Sequence, residues 1–244
     1  MTEETNETAR YERVLVVSAH PDDPEFSCGA TVAKLAAEGA EVAYVICTDG
    51  SQGGEDPGLP DEELAVIRER EQREAGDILG VKEIRFLGYK DGHLAADLDL
   101  RRAIVREIRR HRPDLVLTHA PVRNLGVGIG ASHPDHLAVG ESTLQAVYPD
   151  SRNPRAFRDL LCEGFQPHRV KEVWLPTWDS GEHVVDVTGY VERKIDAILC
   201  HKSQFNKPHQ DPEGPRKWIG ERMREVGKRV GVEYAEVFTR IKTA

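Results

Sequence analysis

His20, Asp22 and Asp23 stand together in the stretch AHPDDPEFSCGAT (residues 19–31), and His133 and His136 share the tetrapeptide HPDH. Imidazole nitrogens and a carboxylate form a mixed donor set suited to zinc. Two histidines and one aspartate leave a fourth position for water, the pattern of catalytic rather than structural zinc. A divalent ion facing one anionic ligand keeps net positive charge, so it lowers the pKa of its water toward ~7 and polarises a carbonyl. With Asp23 as ligand, Asp22 points elsewhere along the backbone and can take a proton as general base. Spacing does not choose between His133 and His136 as the second imidazole ligand. The spare one lies three residues away on the same helical face, where it can donate to an oxyanion.

The plainer alternative is that HPDD and HPDH are helix caps with incidental histidines, since capping and the helix dipole favour Asp at N-termini. Two such tetrapeptides, each at the carboxyl end of an expected strand, count against it.

The elements that must position these residues follow from the apolar patterning. RVLVVSAH (13–20), EVAYVICTDG (41–50), EIRFLG (83–88) and DLVLTHAP (114–121) read as strands, with VKEVWLP (170–176) and EHVVDVT (182–188) as shorter candidates. Helical spacing fills the intervals near 27–38, 64–80 and 100–110, and later near 191–200 and 215–230. Ser132 is expected to cap a further helix with Pro134 in its first turn. Alternating strands and helices predict an α/β, Rossmann-like fold: a mostly parallel sheet with helices on both faces and the active site at the carboxyl ends of the strands. One domain is expected over residues 13–244, behind a polar, acidic, disordered tail over residues 1–12.

Composition narrows the function classes. With 39% hydrophobic and 31% charged residues the chain can bury a core, and no apolar run approaches the roughly 20 residues of a membrane helix. The start carries no apolar secretory segment, which points to the cytoplasm. Lys and Arg total 33 against 42 Asp and Glu, a net charge of −9 that opposes nucleic-acid binding. Four cysteines without CxxC spacing argue against both a cysteine zinc site and a disulfide framework, so they read as reduced thiols.

AHPDDPEFSCGAT together with SHPDHLAVG resembles the LmbE-like zinc deacetylases, the family of N-acetylglucosaminylphosphatidylinositol de-N-acetylases and of the deacetylases of mycothiol and bacillithiol synthesis. TDGSQGG, FLGYKDGHL, RPDLVLTHAP and VDVTGYVERKIDAILCHKSQ extend the likeness over most of the chain. The resemblance implies His20, Asp23 and His136 as zinc ligands, Asp22 as the base and His133 as the oxyanion stabiliser. It further implies that Arg68 and Asp91 contact substrate hydroxyls. Pro24 and Ala30 depart from the usual pattern, a change that spares the metal chemistry but can reshape the pocket floor. Glu25 is expected to cap the helix. His93, His119, His168, His183 and His201 lack a second partner at ligand spacing and read as structural.

The expected function is therefore zinc-dependent removal of an N-acetyl group from a small-molecule conjugate of the N-acetylglucosamine type. The alternatives are an amidase acting on a thiol or specialised-metabolite conjugate, and a non-catalytic metal- or sugar-binding α/β protein. A magnesium phosphohydrolase fits less well, because magnesium prefers oxygen ligands. The resemblance also allows an assembly of identical subunits, for which the sequence names no interface.

Overall fold

The computed structural model describes residues 11–127, 129–177, 181–205 and 214–243. The chain runs β1 (Arg13–Ser18), α1 (Asp23–Ala37), β2 (Glu41–Thr48), α2 (Asp61–Leu79), β3 (Glu83–Tyr89), α3 (Leu98–His111) and β4 (Leu115–Thr118). It continues through α4 (Pro134–Gln145), α5 (Arg158–Cys162), β5 (Glu172–Pro176), β6 (His183–Asp186), α6 (Val191–Ile198), α7 (Lys202–Phe205), α8 (Gly214–Val230) and β7 (Ala235–Lys242).

The described strands form one seven-stranded sheet in the order β3-β2-β1-β4-β5-β7-β6. β1 to β5 are mutually parallel, whereas β7 runs antiparallel to both β5 and β6. Side chains alternate across a strand, so continuous apolar runs must be covered on both faces. Val14 and Val16 of β1 enter a core with Val32 of α1, Leu79 of α2 and Ala197 of α6. Leu15 and Val17 enter the opposite one with Ile104 and Ile108 of α3 and Val139 of α4. That division is the expected two-faced cover.

β1 is flanked by β2 on one side and β4 on the other, with Val17 level with Thr118. The chain leaves β1 toward one face and β4 toward the other, which opens a crevice beyond their carboxyl ends. The segments carrying His20 to Asp23 and His119 to His136 begin there.

Several local expectations change. β7 is not among the expected strands; its alternation in AEVFTRIK is broken by polar residues, and it gains its place by pairing on both sides. Tyr11, expected in the tail, is buried in the core and donates through its hydroxyl to Glu172 at 2.7 Å. Of the rest of that expected tail, Glu12 is exposed and residues 1–10 lie outside the described residues. The cap of α4 is His133, whose Nδ1 accepts from the Asp135 N–H at 3.2 Å, while Ser132 Oγ instead accepts from the Asn124 N–H. Glu25 is no cap: it is fully buried and hydrogen-bonded to Gln72 and His201. Among the described residues no helix is long and apolar enough to cross a membrane.

Candidate active site

The turn between β1 and α1 places His20 and Asp23 one helical turn apart, and the start of α4 brings His136 to them across 116 positions of sequence. His20 Nδ1 lies 3.3 Å from Asp23 Oδ2, His136 Nε2 lies 3.0 Å from Asp23 Oδ1, and the two imidazole nitrogens are 3.3 Å apart. Donors at ~2.0 Å from a tetrahedral ion stand roughly 3.3 Å from one another. The two histidines approach different oxygens of Asp23, and among the described residues the groups whose donors lie close enough to share an ion are His20 with His133 and His136, Asp23 with His119 and His136, and His20 with Asp91 and Asp135.

The tautomers agree. His20 Nε2 lies 3.0 Å from Asp91 and 3.2 Å from Asp135, so its proton belongs on that side and the Nδ1 lone pair faces Asp23 and His136. Carboxylates behind a ligating imidazole fix its orientation and raise its basicity. Burial works against protonation of His20, yet the hydrogen bonds to Asp135, Asp23 and Asp91 outweigh it and push the ring up to about 12. Burial likewise disfavours the charged Asp23, but His136 and His119 hold its carboxyl well below the usual range. Negative charge gathered around the His20 ring in this way favours a proton, or a cation in its place.

Asp22 faces a different environment. Burial pushes its carboxyl up to about 6, with Arg68 opposing the shift and Asp23 adding to it. Arg68 donates to Asp22 Oδ2 at 3.1 Å, and among the described residues Oδ1 accepts no hydrogen bond. The backbone at Asp22 has φ of 100°, a conformation that costs L-residues energy and is held only where surroundings impose it.

His133 stacks edge-on against His20 with ring centroids 4.7 Å apart. Because its Nδ1 accepts the Asp135 N–H, its proton sits on Nε2, and burial together with His20 and His136 lowers its pKa. It is a neutral donor. Cap geometry thus gives the two histidines of HPDH different surroundings, which spacing does not show.

Two predicted substrate contacts look different in place. Arg68 is 3% exposed, donating to Gly50 O at 2.7 Å and Pro21 O at 2.5 Å as well as to Asp22. Both terminal nitrogens of its guanidinium bind the loops around the site, while its buried Nε has no hydrogen-bond partner among the described residues. Asp91 is 4% exposed, with one oxygen on His20 and the other accepting from the Gln52 N–H at 3.0 Å, so both oxygens have partners within the chain.

Sequence reasoning missed Asp135 and Gln72, took Glu25 for a cap, and placed His119 and His201 among structural residues. Asp135 accepts from the N–H groups of Gly92 and Leu94 while facing His20. His119 stacks on His136 at 4.2 Å and 8°, and its Nε2 lies 3.1 Å from the Ala19 nitrogen and 3.3 Å from Asp23 Oδ2, so it belongs to a group with Asp23 and His136 that could hold a metal ion. A signal existed for Gln72: Leu64, Arg68, Glu71, Gln72, Ala75 and Leu79 form the buried stripe of α2, and polar residues within an apolar stripe need partners.

An open-ended α/β sheet with histidines and aspartates clustered at its switch point, among them groups that could hold a metal ion, marks the class to which this chain belongs. Residues 15–147 match the PIG-L family, described as GlcNAc-PI de-N-acetylase. The chain is 34% identical over 193 residues to a diacetylchitobiose deacetylase of Thermococcus kodakarensis, covering 79% of this chain and 70% of the relative. It is 32% identical to a probable N-acetyl-alpha-D-glucosaminyl L-malate deacetylase 2 of Bacillus anthracis, covering 79% and 81%. The structure superposes on N,N'-diacetylchitobiose deacetylase from Pyrococcus horikoshii with a TM-score of 0.86 at 32% identity, covering 95% of this chain and 84% of that one. The protein belongs to the PIG-L, or LmbE-like, family of N-deacetylases.

Proposed function

We propose that this protein is a zinc-dependent deacetylase of small N-acetylglucosamine-type conjugates, with residues 13–244 as its catalytic domain. The observation that carries the reading is the convergence of His20, Asp23 and His136, whose nearest atoms lie 3.0 to 3.3 Å apart with both Asp23 oxygens taking part, beside the second carboxylate of Asp22. The relatives that act on diacetylchitobiose and on an N-acetylglucosaminyl malate support the sugar class. Zinc bound by these three residues would supply a Lewis acid and lower the pKa of a water toward ~7.

The chain's own groups then divide the work. Asp22 Oδ1 takes the proton from water as it attacks the acetamide carbonyl, and Arg68 holds the other oxygen so that Oδ1 stays aimed. His133 Nε2–H donates to the carbonyl oxygen as charge develops there, the term that hydrogen-bond donors contribute most strongly in a closed site. Collapse breaks the C–N bond; the proton held by Asp22 passes to the nitrogen, releasing acetate and a free amine. Its four free cysteines, of which Cys28 and Cys47 are buried, suit a reducing compartment such as the cytoplasm.

The reading is tested by incubating zinc-loaded and chelator-stripped protein with N-acetylglucosamine, diacetylchitobiose and N-acetylglucosaminyl glycosides while measuring primary amine and acetate in equal amounts. Release that requires metal and returns with zinc is expected. Full release from metal-free protein overturns it.

A further inference from the structure

The late HKSQ motif, residues 201–204, contributes no atom to the site described above, yet it ends in a buried chain of hydrogen bonds that leads there. His201 Nε2 donates to Glu25 Oε2 at 3.2 Å, Gln72 Nε2 donates to Glu25 Oε1 at 2.9 Å, and Gln72 Oε1 accepts from the Asp22 N–H at 2.8 Å. His201, Glu25 and Gln72 are each 0% exposed. Glu71, beside Gln72, binds both the N–H and the hydroxyl of Ser203 at 2.9 and 2.6 Å, which pins the motif to α2.

The consequence falls on one peptide unit. The carbonyl of Pro21 accepts from Arg68 and the N–H of Asp22 donates to Gln72, so the Pro21–Asp22 peptide is gripped at both ends by residues four apart on one helix face. Rotation about the next bond sets Asp22 at φ of 100°, and without the grip that strained value has nothing to maintain it. We propose that Gln72, backed by Glu25 and His201, is a positioning residue that fixes the Asp22 peptide and thereby aims the Asp22 carboxylate. The inference rests on reading Asp22 as the base.

The bonds can be exchanged without changing the charge. In Q72E alone two carboxylates meet in a buried space. In the double variant Q72E/E25Q the Asp22 N–H again finds an acceptor, now a carboxylate at position 72. The amide introduced at position 25 donates to that carboxylate, and His201 donates to the oxygen of the same amide. The experiment measures kcat, KM, zinc stoichiometry and thermal unfolding for Q72M, Q72E, E25Q and the exchanged pair, with D22N alongside. Loss of an outer partner costs about 10- to 100-fold in activity. We expect Q72M and Q72E to lose kcat in that range with KM and zinc content within about twofold, and the exchanged pair to recover most of it.

A Q72M protein with wild-type kcat overturns the proposal, as does an exchanged pair no better than Q72E, or a loss of kcat that merely tracks lost zinc. If Q72M does not fold, Q72E against the exchanged pair decides the question. Retention of full kcat by D22N strikes instead at the reading of Asp22 as base, so the two failures are told apart.

Discussion

Asp22 and Asp23 are chemically identical neighbours whose surroundings separate them. Asp23 has both oxygens facing imidazoles, and its carboxylate is held ionised, whereas Asp22 is buried beside one guanidinium and one carboxylate. Asp23→Ala removes one of three donors, so zinc content and turnover fall together. Asp22→Asn keeps size and charge-free hydrogen bonding to Arg68 but cannot accept the proton; zinc stays near one equivalent while kcat drops about 10² to 10⁴-fold. Metal analysis beside steady-state kinetics reads both, and an Asp22→Asn protein without zinc would reverse the roles. At His133 the expected loss on substitution by Ala is about 10² to 10³-fold in kcat, the usual effect of removing one oxyanion donor. The helix N-cap is lost as well, so a matched Asn variant, which keeps a cap, should share the kinetic defect while recovering stability in thermal unfolding.

At the level of elements, α2 and α1 do most to hold the site. Arg68 ties α2 to the loops after β1 and β2; Arg68→Met strands the carbonyls of Gly50 and Pro21, each costing about 1–3 kcal/mol if left unpaired. Chemical denaturation should register that loss, which a residue that only touched substrate would not produce. α1 is broken at Cys28, where φ is −149°, and the break is stitched by partners from far away. Glu236 of β7 accepts from the N–H groups of Ala30 and Thr31, and Lys194 of α6 donates to both the Phe26 carbonyl and Glu236. Lys194 and Glu236 are both buried, so Lys194→Met leaves an unpaired carboxylate and is expected to destabilise the fold by about 3–5 kcal/mol, read as a lower denaturant midpoint. The first turn of α1, which carries Asp23, depends on that stitch.

Across the whole molecule, the end of the sheet opposite the site carries its own charge device. Burial alone would raise the Glu172 pKa, but Arg240, Tyr11 and Trp174 all bind the carboxylate and lower it to about 2. A depressed acid stabilises the fold above its unfolded pKa and loses that contribution as pH falls through the folded value. Wild-type protein should therefore lose stability relative to Glu172→Gln as pH drops from about 4.5 toward 2, measured by denaturant midpoints across that window; a constant difference would refute the assignment. The sequence alone determined the chemistry and the frame. HPDD and HPDH are local, their residues one to three positions apart, and the apolar strands declare their two covered faces whatever lies far along the chain. What the tertiary structure decided is every relation between distant segments: β7 inserted between β5 and β6, the different surroundings of His133 and His136, Arg68 and Asp91 turned inward, and Glu25 joined to His201 across 176 positions. Hydrophobic pattern and capping act over a few residues and are written in them, whereas a buried polar group takes whichever partner the closed fold brings within hydrogen-bond reach.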